Sequence, residues 1–269
     1  MTLVVTAAQQ NTITGSNPCP SVLLTITGIV SPIQPTYISV WRYYDGKLTY
    51  VRNARSQVVL GTTMSFTDYE APFGVPLNYI ATVTAFSYPD VTAQSSSITL
   101  DVADCWITDP ISPRVSARVN LGRESLGSIS YVRDGSVIPV SGSSLPVLNA
   151  NIRQEGSAIP FVFIVHDIIE STQVTTVLQF ADPFLLRTPP EIAPLPRQCY
   201  LTASQIERVP IDLMAGGSIE FYRLTGDRVT APTAPIAVET RTYQDVLNEA
   251  NTYSDVLSQH VDYLGLLRG

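Results

Sequence analysis

Lysine is almost missing from this chain: Lys47 is the only one among sixteen basic residues. Charge is scarce altogether, at 14% of 269 residues, where roughly a quarter is usual. Histidine occurs twice, at His166 and His260, and cysteine three times, at Cys19, Cys105 and Cys199. Two histidines cannot build a three-histidine metal site. Three distant cysteines with no C-x-x-C pair exclude a zinc knuckle; they leave one disulfide plus a free thiol, or three buried thiols. The net charge of −7 and pI near 4.8 argue against a nucleic-acid partner, which would favour a basic patch. No stretch approaches the ~18 apolar residues of a membrane span. The opening MTLVVTAAQQ has neither the basic region nor the long apolar core of a secretory signal, so neither membrane insertion nor export by that route is expected. The bias to arginine fits GC-rich coding, or selection for planar, bidentate interface contacts.

Catalytic motifs are missing as well. There is no G-x-S-x-G, no H-E-x-x-H and no G-x-x-x-x-G-K-[ST], which removes the nucleophile elbow, the zinc protease helix and the phosphate loop. Gly216-Gly217 reads as a turn. His166 beside Asp167 invites a dyad, but the apolar run 158–169 reads as a strand, where neighbours point to opposite faces. His166 is then a hydrogen-bonded core or edge residue. Asp167 and Glu170 are the nearest approach to a carboxylate pair in an apolar context. No enzyme activity and no cofactor are expected.

What is present is β-type sequence. Hydrophobic residues make up 45% of the chain, enough for a sizeable core, and valine and isoleucine are frequent. In residues 1–101 strand signals recur every ten to fifteen residues: SVLLTITGIV, TYISVWRYY, KLTYVRNA, TTMSFTDYE, LNYIATVTAFS and SSSITLDVA. Asp45-Gly46 is a strong hairpin signal, and Trp41 stands where a β-sandwich places a core aromatic. The segment 102–118 reads as a hinge-like joint, because Pro110 and Pro113 forbid regular helix. Trp106 within it reads as an aromatic plug at a domain seam. Residues 119–238 form a second β-rich unit, with a turn expected at Asp134-Gly135, a strand pair around a turn at Ser171–Gln173, an extended proline-rich crossing at 188–198 and a linker at 230–238.

The tail, 239–269, repeats a ten-residue unit: TYQDVLNEAN, TYSDVLSQHV, DYLGLLRG. Tyr243, Tyr253 and Tyr263 hold one place in it, Val246 and Val256 another, and Leu247, Leu257 and Leu267 a third. Thr242 and Thr252, each three residues before an aspartate, have the form of helix N-caps. Ten residues turn a helix by roughly 1000°, about 80° short of three turns. The tail is therefore either short helices, each restarted by its cap, or one helix read in heptads, with Leu264 on the seam. Partner docking or oligomerisation through Tyr243, Val246, Leu247, Tyr253, Val256, Leu257, Tyr263, Leu264 and Leu267 is one use for it. Packing on its own body is the other.

Two resemblances follow from these residues. Asp68-x-x-x-Pro72-x-Gly74-x-x-x-x-Tyr79 resembles the segment before the tyrosine corner of fibronectin type III domains. It implies a fibronectin type III-like β-sandwich in 1–101, with Tyr79 tying the corner through its hydroxyl. Together with the D-C-W-I-T-D-P-I-S-P joint at 104–113 and the Tyr-x-Asp-Val-Leu repeats, the chain resembles minor tail proteins of long-tailed phages infecting actinobacteria. Trp106, Asp109, Pro110 and Pro113 match that group's element near the start of the second domain; Tyr243, Tyr253 and Tyr263 match its tandem aromatic-Asp-Val-Leu units. The third repeat departs, with Asp262 for Thr and Gly265 for Asp. The resemblance implies a virion structural protein of the tail tip or baseplate, made without a secretion signal. Its partners would be other tail proteins and further copies of itself, in a ring or trimer, with contact to the host surface. A receptor- or carbohydrate-binding module of the same particle, using Trp41, Tyr43 and Tyr44, is the first rival. A cell-wall hydrolase and a non-viral surface protein are weaker ones.

Overall fold

The computed structural model describes residues 3–10, 19–29, 36–59, 61–85, 88–125, 130–132, 135–138, 147–150, 154–190, 197–210, 219–234 and 236. The chain divides into two units, Met1–Pro235 and Ile236–Gly269. Everything described below lies in the first. The tail repeats, with every residue of the candidate assembly interface from Tyr243 to Leu267, lie outside the described residues.

The described protein is mainly β, with one short helix. Its N-terminal body holds β1 (Val4–Gln10), β2 (Ser21–Thr27), β3 (Thr36–Tyr44), β4 (Lys47–Tyr50), β5 (Gln57–Val58), β6 (Thr63–Asp68), β7 (Pro76–Ala85), β8 (Tyr88–Gln94) and β9 (Ile98–Thr99). One sheet runs β1-β2-β6 and the other β4-β3-β7-β8, with β5 beside β3 and β9 beside β7. Period-two alternation decides which face is buried. Val22, Leu24 and Ile26 from one sheet meet Ile38, Val40, Leu77, Tyr79 and Ala81 from the other in a single core. The β3–β4 hairpin turns at Asp45-Gly46, as expected, with both residues at positive φ (48° and 72°). That is the backbone a two-residue turn requires to match strand twist.

Trp41 departs from expectation. Arg42 takes the inward place on β3, while Trp41 faces outward and stacks on Tyr50 of β4, ring centroids 3.4 Å apart. The parity of Ile38 and Val40 fixes this, since alternate residues share a face.

The second body contains β10 (Cys105–Thr108), β11 (Ser116–Leu121), β12 (Ser130–Val132), β13 (Gly135–Ile138), β14 (Val147–Ala150), β15 (Gln154–Ser157), β16 (Ile159–Val165), α1 (Ile168–Phe180), β17 (Phe184–Arg187), β18 (Gln198–Pro210) and β19 (Glu220–Val229). Six strands close into an antiparallel barrel in the order β10-β11-β16-β19-β18-β17. Closure removes the sheet edges that would otherwise template further pairing. The 102–118 joint thus contributes β10 and the start of β11 to the barrel, with Pro110 and Pro113 buried in the turn between them. An arm leaves the barrel between β11 and β16. In it β12 pairs with β15 and β13 with β14 rather than with each other; Asp134, half of the expected turn, lies outside the described residues.

The expected strand pair after residue 165 is instead α1. Asp167 caps the helix, its carboxylate accepting from Ile169 N at 2.6 Å. Ser171, Val174 and Val177 share one face and are buried beside the barrel, where the helix packs mainly on β11. β-Branched residues at 174–177 give a strand-like local preference; the cap and the buried face override it.

Candidate functional site

The N-terminal body and the barrel meet across a polar seam. Register places Trp106, Arg187 and Gln198 side by side across β10, β17 and β18. Trp106 leaves the barrel's own core and packs with that of the N-terminal body. Pro113, in the adjoining turn, accepts from the Cys19 thiol at 3.7 Å. Arg187 is wholly buried. Its Nη1 donates to Pro20 O at 2.8 Å and Ala71 O at 3.1 Å, and its guanidinium lies 4.5 Å from the Phe73 ring centroid. Its Nε and Nη2 have no hydrogen-bond partner among the described residues.

Across the seam sits a buried ion pair. Arg42 Nη1 donates to both Asp68 oxygens, at 2.8 and 2.9 Å. Asp68 also accepts from the Tyr79 hydroxyl at 3.0 Å and the Glu70 amide at 3.0 Å. Burial alone would lower the Arg42 pKa, but Asp68, Tyr79 and Glu70 outweigh it and hold the guanidinium charged. Burial, then the Asp68 charge, push the Tyr79 phenol far above its ordinary value. Arg42 reaches Gln198 Oε1 across the seam at 3.4 Å. A second pair, Arg52–Glu70 at 2.5 Å, lies beside Tyr200, whose hydroxyl accepts from Gln198 Nε2 at 3.3 Å. Burial and then Glu70 raise the Tyr200 phenol. Charges this deep are tolerated only when paired and hydrogen-bonded.

The Tyr79 hydroxyl therefore reaches back to the first residue of its own motif. Arg42, Arg187 and Gln198 were not legible as seam residues. A charged side chain at the inward parity of β3 was the one available signal.

A second polar cluster ties α1 to the barrel. The Ser171 hydroxyl donates to Glu220, lies 2.8 Å from the Tyr222 hydroxyl, and accepts from Arg208 Nη2 at 3.1 Å. Arg208 grips both Glu220 oxygens at 2.7 and 2.8 Å. Glu220 lies below the usual glutamate range chiefly through this bond to Arg208. Ser171 is buried and its hydroxyl is engaged by Glu220, Tyr222 and Arg208, so the cluster reads as a structural tie. Asp167 is occupied as the helix cap, and Glu170 is bonded by Arg118. Of the core or edge placement expected for His166, the structure excludes the core: it is exposed just beyond the end of β16, where its backbone N–H donates to Glu170 Oε2 at 3.4 Å. All three cysteines are buried free thiols. Burial first, then Asp104, push Cys105 up to about 12; burial, opposed by Arg228, pushes Cys199 to about 12.

Two outward faces carry apolar side chains. On the N-terminal body, Tyr37, Trp41 and Tyr43 follow one another along β3, with Leu48, Tyr50 and Val58 opposite them on β4 and β5. On α1, Ile168 is 72% exposed and Phe180 74%. Between them the Thr172 and Thr176 hydroxyls turn back to the carbonyls of Ile168 and Thr172, at 2.9 and 2.8 Å. Such back-bonding spends the hydroxyl on the backbone and leaves an uncharged ridge about 20 Å long.

Among the described residues, no group of three or more His, Cys, Asp or Glu side chains is placed to hold a metal ion. None of the described helices is long and apolar enough to cross a membrane. Comparison with known proteins finds no matching family, no matching curated protein and no matching solved structure.

Proposed function

We propose that this chain is a virion structural protein of a phage tail tip or baseplate, assembling with other tail proteins for host attachment and genome delivery. The observation that carries the reading is the exposed, uncharged ridge of α1 beside polar groups already engaged within the fold. The seam fastens the two β bodies together, and the polar clusters are spent on internal bonds. The uncharged ridge of α1 remains exposed, as docking surfaces are. The Tyr-x-Asp-Val-Leu repeats of 242–267 are the matching sequence feature. We read the N-terminal body as a fibronectin type III-like sandwich, supported by its strand order and by the Tyr79–Asp68 bond. In this reading the protein is non-catalytic, needs no cofactor, and forms a ring or trimer with copies of itself. Light scattering on the full chain and on a chain ending at residue 238 tests the assembly. A defined oligomer that collapses on truncation is expected, and an unchanged oligomer refutes the role of the tail. Antibody labelling of particles by electron microscopy should mark one tip of the tail.

A second reading, adhesion to a receptor or glycan, is favoured by one observation: Trp41 and Tyr43 lie on the outward face of β3. Glycan-array binding lost in Trp41→Ala and Tyr43→Ala would bring it forward.

A further inference from the structure

Helix α1 has 13 residues, and Glu170, bonded by Arg118, is the one with a formal charge. The carboxylates just beyond its two ends are engaged as well, Asp167 by the Ile169 amide and Asp182 by the Thr202 hydroxyl. A helix that only faces water ordinarily carries charged residues on its outer side. Here the outer side is the row Ile168, Thr172, Thr176 and Phe180, turned away from the buried Ser171, Val174 and Val177.

Spacing by four makes that row a packing ridge. It reads the same from either end: an apolar side chain, two threonines, an apolar side chain. A two-fold axis through its midpoint, between Thr172 and Thr176, sets Ile168 beside Phe180 of a second copy and Thr172 beside that copy's Thr176. Both threonine hydroxyls already donate to carbonyls of their own helix, so closing water out strands no donor. Copies with a net charge of −7 repel one another. A surface where two of them meet must therefore be uncharged, and one that meets itself must be self-complementary. The α1 ridge is both.

We propose that α1 pairs with α1 of a second copy about this two-fold axis. The ridges lie side by side, with the helix axes crossing at about 50°. A contact centred on one helix falls short of the ~800 Å² per partner of a standard interface, so the pairing is reversible and depends on concentration. A different protein as partner would have no need of a row that reads alike in both directions. This takes up the docking surface of the assembly reading and names its occupant. Truncation at residue 238 leaves α1 in place, and substitution in α1 leaves the tail in place, so the two ideas fail separately.

Sedimentation velocity of the full chain, over a concentration series up to about 1 mM, tests it. The mass is expected to double as concentration rises. Thr172→Glu and Thr176→Arg each put a charge into the contact, and each should raise the dissociation constant about tenfold or more. An equal mixture of the two variants should regain the doubling, because the axis sets the new carboxylate of one chain beside the new guanidinium of the other. A mass that never doubles overturns the proposal, as does doubling that both variants retain. A mixture that stays apart overturns the two-fold register. Both positions lie on the outer side of the helix, and the melting temperature should hold. Should either substitution lower it, Phe180→Lys decides by loss of the doubling, since Phe180 is 74% exposed.

Discussion

Asp68 closes β6 with three donors on its two oxygens: the Arg42 guanidinium, the Tyr79 hydroxyl and the Glu70 amide. Removing it strands a buried cation. Asp68→Ala should therefore cost ~3–5 kcal/mol, whereas Tyr79→Phe, which removes one donor to a charged acceptor, should cost ~1.5–3 kcal/mol. Urea unfolding of the two variants measures both, and equal costs would contradict this ordering. Cys105 and Cys199 make a second prediction at this scale. Their raised pKa values mean that the folded state holds its thiol protons longer than the unfolded chain does. The stability this contributes is complete below the unfolded value near 9 and is lost as pH rises toward about 12. Melting temperature should fall over that window. At pH 8 a thiol reagent should label Cys19, Cys105 and Cys199 only after unfolding, since all three are buried.

At the scale of elements, α1 depends on its cap and on the Arg208–Glu220–Ser171 tie. Asp167→Ala should cost ~1 kcal/mol, read from thermal melts. Glu220 has a lowered folded pKa, so its contribution is present above the ordinary value of about 4.5 and is lost as pH falls through the lower folded value. Amide exchange in α1 should quicken there, and Glu220→Gln should flatten that dependence. Gly74 is a harder constraint. At φ +63°, a Cβ there would overlap the Pro190 ring, so Gly74→Ala strains the backbone and pushes a rigid ring aside. A loss of several kcal/mol is expected, about 2–4.

For the first unit as a whole, the seam predicts cooperativity. Trp106 and Arg187 extend from barrel strands into the N-terminal body, so the two bodies should unfold in one calorimetric transition with matching van't Hoff and calorimetric enthalpies. Arg187→Ala, which removes the bonds to Pro20 and Ala71, should split that transition in two. A single unsplit transition in the variant would place the coupling elsewhere.

Local chemistry was legible from the chain alone where it is governed by near neighbours. The β-rich composition, the Asp45-Gly46 turn and the burial of Trp106 depend on alternation, on φ preferences and on hydrophobicity. The lack of catalytic motifs and the tail repeats are likewise properties of residue order. Three things waited for tertiary structure. Arg42 shares the inward parity of Ile38 and Val40, but its charge is tolerated there because Asp68, 26 residues away, supplies a counter-charge that no local pattern contains. Residues 168–180 are helical because the barrel offers a face to Val174 and Val177, while their β-branched side chains argue locally for a strand. The 102–118 joint yields barrel strands because β10 finds partners in β11 and in distant β17. Long-range pairing and buried charge are settled by what lies across the fold, which is why order along the chain could not decide them.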